Sequence, residues 1–306
     1  MIKFFEELFF YPNLKHFLII LALVPFSLIY GAINFLKANL AKPKDFGVKV
    51  ISIGNIIVGG SGKTPFAIAL IDYLLKDNPN LKITYISRGY GRESKGLVEV
   101  KRNNEILCNV AQSGDEAMLV ALESNCDVIV SENRAKAIKK AQKNQSNLII
   151  LDDGFSKVDI KKFDILLMPK EIKNPLPLPA GPFREFSFMK KRANLILQEE
   201  KDFKREVKCI DCNERLLLLS AIANPKRLDR FLPKNVVAKY LLSDHSYFNK
   251  DDILKKMQEH NATKLLVTQK DFVKLKEFKL PIALLKLKLQ INLEKLEPIK
   301  RYIYEK

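Results

Sequence analysis

The chain has 306 residues, more than the roughly 100–200 of one domain, so two domains are the natural expectation. Hydrophobic residues make up 47% and charged residues 28%, a globular composition that excludes extended disorder. The formal net charge of +17 calls for an acidic partner: nucleic acid, anionic lipid or a phosphorylated substrate. No zinc-finger spacing or Arg/Gly run accompanies it, so nucleic acid is not the expected partner.

Between Lys15 and Lys37 the sequence HFLIILALVPFSLIYGAINFL carries no Asp, Glu, Lys or Arg. Its length is near the roughly 20 residues that cross a bilayer core. Pro25 would kink a helix there, and Ser27, Tyr30 and Asn34 make the second half less apolar. A spanning helix and a helix lying in the interface are both open. Lys37, Lys42, Lys44 and Lys49 follow, and positive flanks favour the cytoplasmic side for the rest of the chain.

VKVISI (48–53) reads as a buried strand, followed by glycines and a helical PFAIALIDYLL. KITYIS is a second strand, ending at Arg88-Gly89-Tyr90-Gly91-Arg92. CDVIVS (126–131) is a third, leading into a Lys-rich helix that starts near Asn133. NLIILDDG (147–154) is a fourth and DILLM (164–168) a fifth. Strands alternating with helices predict an α/β fold with a mostly parallel sheet, helices on both faces, and chemistry beyond the carboxyl ends of the strands. The proline-rich PLPLPAGPFRE (175–185) is a loop. RLLLLSAI (215–222) and KLLVTQKD (264–271) read as strands of a smaller C-terminal α/β unit. The expected division is 1–40 as a membrane-associated helical segment, 41–210 as the main α/β domain and 211–306 as the smaller domain. Of the four cysteines, Cys209 and Cys212 form a C-x-x-C without the further ligands a zinc site needs, so ordinary reduced thiols are expected.

Ile57, Val58, Gly59, Gly60, Ser61, Gly62, Lys63 and Thr64 occupy the register of the phosphate loop G-x-x-x-x-G-K-[ST], with Ile57 where the first glycine stands. Glycine lets backbone N–H groups point at phosphate oxygens, Lys63 would reach the β- and γ-phosphates of ATP, and the Thr64 hydroxyl would hold Mg²⁺. A strand ending in Asp152-Asp153 supplies the acidic partner for that metal. The loop alone does not choose among kinases, GTPases and partition or targeting ATPases.

IGNIIVGGSGKTP, SRGYGR, SGDEAM, LDDGF, LPAGPFRE, AIANPKR, DHSYF and VTQKD follow one another in this order. The chain resembles the tetraacyldisaccharide 4′-kinases, the lipid A kinases of Gram-negative bacteria, over roughly residues 50–275. The resemblance implies transfer of the γ-phosphoryl group of ATP to the 4′-hydroxyl of an acylated glucosamine disaccharide 1-phosphate, giving lipid IVA. It implies action at the inner membrane, which the positive flanks place at the cytoplasmic face, and a monomer is expected. By position, Asp115 matches the acid that takes or orients the hydroxyl proton, and Asp152 joins it as a catalytic residue. Asp153 and Glu185 match metal-linked acids. Arg88, Arg92 and Arg184 are candidates for substrate phosphate or lipid, and His245 matches a residue approaching the nucleotide base. The family reads DDGFQH, its His partnering the catalytic Asp; here Ser156 and Lys157 replace Gln-His, so Lys157 is taken as a candidate catalytic cation and the dyad is in question. The competing reading is a membrane-associated partition or targeting ATPase.

Overall fold

The structure is a computed structural model that describes residues 2–59, 62–222 and 225–305. Gly60 and Ser61 of the phosphate loop, and Ala223 and Asn224 of AIANPKR, lie outside the described residues. Two helices open the chain, α1 (Ile2–Phe10) and α2 (Leu14–Leu40). Strand β1 (Lys49–Gly54) precedes α3 (Lys63–Asp77), followed by β2 (Ile83–Ser87), β3 (Val98–Arg102) and β4 (Glu105–Ile106). The short α4 (Val110–Ser113) runs into α5 (Asp115–Glu123), then β5 (Asp127–Val130) and α6 (Arg134–Lys143). Next come β6 (Leu148–Asp152), β7 (Phe163–Met168), β8 (Leu195–Gln198), β9 (Phe203–Ile210), β10 (Leu216–Ser220) and β11 (Val236–Leu241). The chain closes with α7 (Lys250–Glu259), β12 (Lys264–Thr268), α8 (Gln269–Leu275), β13 (Ile282–Ile291) and α9 (Glu297–Tyr304).

Two compact units divide the chain, each assembled from separated segments. The first takes the chain through Lys63, Gln142–Lys204, and the chain from Ile291 onward; the second takes Thr64–Ala141 and Arg205–Gln290. In the first unit β6, β1, β7 and β8 lie side by side, all parallel, with Ile53 opposite Asp152 and Gly54 opposite Leu166. Strands β1 and β6 are apolar on both faces, as central parallel strands must be when both sides are covered. Their carboxyl ends therefore share one edge, where Gly54 leads into the glycine loop and Asp152 into Asp153.

In the second unit β2 and β5 pair in parallel, and β3 adds antiparallel to β5 with β4 hairpinned onto it. A second sheet runs β11-β10-β12-β13-β9, with β11–β10, β10–β12 and β12–β13 paired in parallel. The mostly parallel α/β class read from the sequence is the class the chain adopts. At the end of β9, Asp211 takes a left-handed φ of +59° and brings Cys209 and Cys212 to a Cα separation of 6.0 Å, where they are joined as a disulfide. This corrects the expectation of reduced thiols: the intervening turn closes to a spacing that suits the bond.

Helix α2 runs through Pro25 without a break and is capped by Asn13, whose side chain accepts from Lys15 N while His16 returns the bond. It is long and apolar enough to cross a membrane, by length and composition. Most of it is exposed, including Phe17, Leu21, Phe26 and Ile29, but one stripe is not. Ser27 Oγ accepts from Ala180 N at 2.8 Å, and Asn34 Nδ2 donates to Arg184 O at 3.3 Å. Between them Gly31 faces the Phe186 ring so closely that a Cβ would lie 2.5 Å from it. Spacing of four and three residues puts these positions on one helix face, so the sequence's polar breaks are the docking stripe of α2 on residues 180–186.

Candidate active site

The phosphate loop is built from the end of β1. Gly59 and Gly62 adopt φ of +100° and +79°, which a side chain would strain. Asn55, 3% exposed, braces the loop from beneath: its Nδ2 donates to Gly59 O and its Oδ1 accepts from Lys63 Nζ, each at 3.3 Å. The proline-rich segment braces it from the other side, with Val58 N donating to Pro182 O and Arg184 N to Ile56 O, both at 2.8 Å. Ile57 forms a β-bridge with Phe183 and is buried with Ile56, Phe155, Leu166 and Met189. That is why an isoleucine stands at the first glycine's place. Removing its side chain would cost about 2–5 kcal/mol, the range for truncating a buried aliphatic residue. Thr64 is buried in the first turn of α3.

Asp153 is where the first unit gathers charge. It takes a left-handed φ of +50°, with its N–H donating to Ile53 O at 2.9 Å, so the carboxylate leaves the line of β6. Arg184 Nη1 donates to both its oxygens, at 2.8 and 3.1 Å, and Lys63 Nζ lies 3.5 Å away. Burial pushes the Asp153 carboxyl up, but the charges of Lys63 and Arg184 outweigh it and hold it below the usual range. Asp152 is buried beside it at the end of β6. Glu185 does not share this cluster: its buried carboxylate takes Arg192 Nη2 at 2.8 Å, and burial raises it above the ordinary value despite that arginine. Among the described residues no three His, Cys, Asp or Glu side chains converge as a metal cage. Paired carboxylate oxygens fit Mg²⁺, which takes one or two protein carboxylates and completes its shell with water and phosphate oxygens.

The second unit carries the other predicted acid. Asp115 opens α5, accepts from Glu116 N at 2.8 Å, and its side chain is only 2% exposed. His245 Nδ1 lies 3.0 and 3.1 Å from its two oxygens. His245 sits at a φ of +61°, fixed by its N–H to Ala221 O, and its ring packs on Tyr90 at 4.8 Å. Lys270 Nζ is 3.3 Å from His245 Nε2 and from Glu116, and 3.5 Å from Asp244. A carboxylate can only accept, so Nδ1 carries a hydrogen toward Asp115, while Nε2 lies between Lys270 and Asp244 Oδ2, the latter 3.5 Å away. Lys274 Nζ contacts Asp115 at 3.1 Å. Burial works to raise Asp115, but the His245 hydrogen bond and the charges of Lys270, His245 and Lys274 prevail and lower it.

The sequence places Asp115 and His245 in the site but does not join them. The structure gives His245 a carboxylate companion, so the imidazole partner sought at position 157 comes from a segment 130 residues away. Lys157 is half-buried, its carbonyl accepting from Lys162 Nζ at 2.9 Å. Arg92 is turned inward, held by Glu132, Ser94 and the Gly96 carbonyl, whereas Arg88 is exposed. Asn55, Lys270 and Lys274 were missed. Asn55 sits inside IGNIIVGG, and the two lysines are four apart in VTQKDFVK, on one face of a helix capped by Thr268.

The sequence model of the family described as Tetraacyldisaccharide-1-P 4′-kinase matches residues 19–304. The chain belongs to the tetraacyldisaccharide 4′-kinase family. Among the family's kinases, that of Helicobacter acinonychis is 45% identical over 304 residues, covering 98% of this chain and 95% of the relative. The Aliarcobacter butzleri kinase is 48% identical over 284 residues, covering 90% and 88%. A crystal structure described as the "apo" form of the kinase LpxK from Aquifex aeolicus in complex with ATP superposes with a TM-score of 0.78 at 28% identity, covering 94% of this chain and all of that one.

Proposed function

We infer that this protein is an ATP-dependent kinase that phosphorylates the 4′-hydroxyl of a tetraacyldisaccharide 1-phosphate, yielding lipid IVA. The observation that carries the reading is the family match from residue 19 to 304, unbroken through the phosphate loop, Asp115 and His245. The sugar oxygen attacks the γ-phosphorus, the bond from that phosphorus to the β–γ bridging oxygen breaks, and ADP leaves. The hydroxyl proton passes to Asp115, which His245 orients through its Nδ1–H. Lys63 and Arg184 neutralise charge on the transferring group, as phosphoryl transfer depends chiefly on positioning and electrostatics. These two cations rest on Asp153, and phosphate oxygens would compete for them.

Asp153 and Thr64 are the proposed ligands of Mg²⁺, which would supply Lewis-acid neutralisation of phosphate charge, whereas Glu185 holds Arg192. Arg88 is proposed to meet the substrate's phosphate. The protein is proposed to work as a monomer on the cytoplasmic face of the inner membrane. Helix α2 would serve as the membrane-associated segment within 1–40, ahead of a kinase domain at 41–210 and a smaller domain at 211–306. The test is transfer of labelled γ-phosphate from ATP to tetraacyldisaccharide 1-phosphate. A labelled lipid is expected; ATP hydrolysis without a lipid product would favour a targeting ATPase and overturn the reading.

A further inference from the structure

We propose that Lys274 is the positioning residue of Asp115, a buried ammonium that fixes where the carboxylate points, and through it where the sugar hydroxyl is met. The proposal rests on the reading of Asp115 as the proton acceptor.

Four observations converge on Lys274. Its side chain is 3% exposed and that of Asp115 2%, so water screens neither charge. Its Nζ reaches Asp115 Oδ2 at 3.1 Å and donates to Ser246 O at 3.1 Å, and it lies 5.6 Å from the centroid of the Phe248 ring. An ammonium has three donors, and the Asp115 carboxylate and the Ser246 carbonyl engage two of them. Ser246 and Phe248 follow His245 by one and three residues, so one cation ties the carboxylate to the backbone that presents its imidazole partner. Lys270, one helical turn earlier, approaches Asp115 no closer than 3.9 Å and is spent on His245, Glu116 and Asp244.

The division of labour follows from these distances. Lys270 holds the Nε2 face of the imidazole, and Lys274 holds the carboxylate. Asp115 Oδ1 is further occupied by Glu116 N, and both oxygens face His245 Nδ1. An ion pair beside the acceptor lowers its basicity, a cost that a loose transition state tolerates because the hydroxyl proton moves late. The groups that face Asp115 are Glu116 from α5, His245, Asp244 and Tyr247 from the segment before α7, and Lys270 and Lys274 from α8. Removing Lys274 takes away one of the charges that hold Asp115 low, so the acidic limb of kcat/KM should move to higher pH.

The test uses the full-length enzyme with ATP and tetraacyldisaccharide 1-phosphate. Lys274→Met is expected to lower kcat about hundredfold, the scale of a misplaced catalytic group, with KM for ATP within about twofold. Its acidic limb should rise, and adding Lys274→Met to Asp115→Asn should cost nothing more. An unmoved limb, or equal losses with and without Asp115, overturns the proposal. If Lys274→Met does not fold by circular dichroism, Lys274→Arg carries the test. A planar guanidinium keeps the charge but not the ammonium's placement, so kcat should fall with the limb in place, and wild-type turnover overturns the proposal. Full activity in Asp115→Asn would instead show that the reading of Asp115 itself has failed.

Discussion

The two charge clusters share a plan, a carboxylate between cations, and differ in how they are sealed. Asp153 is 38% exposed and its partners Arg184 and Lys63 are 35% and 16% exposed. Asp115 and Lys274 are 2% and 3% exposed, with His245 at 14%. The first cluster is open enough for its cations to change partners when a more highly charged anion arrives. The second is sealed at its centre, where Asp115 and Lys274 meet, and opens only at Lys270, Glu116 and Asp244. On the proposed function, the first would be an exchangeable site for phosphate and the second a preset acid–base pair. Exposure, not the residue types, separates the roles.

The largest effect should come from the open cluster. Lys63→Ala is expected to lower kcat about 10⁴-fold, the scale of losing a cation that neutralises the transferring phosphoryl group, read by initial-rate kinetics. Asp115→Asn should cost about 10³-fold, within the range for a general base. It should also change acid stability. Asp115 is held below its ordinary value when folded, so its contribution is present at neutral pH and lost as pH falls through that depressed value. Melting curves of Asp115→Asn between about pH 5 and pH 3 should therefore be flatter than those of the wild type. An equally steep decline would mean that other carboxylates control acid unfolding. Arg184→Met should reduce turnover about hundredfold. Its melting point should barely move, because a half-exposed ion pair contributes about 1 kcal/mol or less; a large loss of stability would make Arg184 a structural residue. Lys157→His should be smallest, within about twofold, since Asp115 already has a histidine. A gain or collapse would give position 157 a role of its own.

The strands were legible because buried parallel strands are written as short apolar runs. VKVISI and NLIILDDG lie within a residue or two of β1 and β6, and KLLVTQKD holds β12 in its first five residues while its last three open α8. The half-exposed strands β3, β9 and β11 alternate with charges and carry no such run, so they stayed hidden. The phosphate loop was visible because its chemistry is local, packed into eight consecutive residues. The Asp115–His245–Lys274 assembly was not. Its members lie 130 and 29 residues apart, each bland alone, and only the folding of the second unit makes them neighbours. Ile57 marks the opposite case: a local pattern looked broken, and the packing against Phe183 explains it.

The stripe on α2 bears on how this enzyme can be handled. Ser27 and Asn34 bond to the same stretch, 180–184, whose Pro182 carbonyl and Arg184 N–H clamp the phosphate loop. Cutting away the first forty residues to obtain a soluble fragment would thus be no neutral edit. It would bare Phe186, leave the Ala180 N–H without its serine, and loosen the strap under Val58 and Ile56. The helix is part of the enzyme's floor, and a fragment that lacks it should bind ATP more weakly.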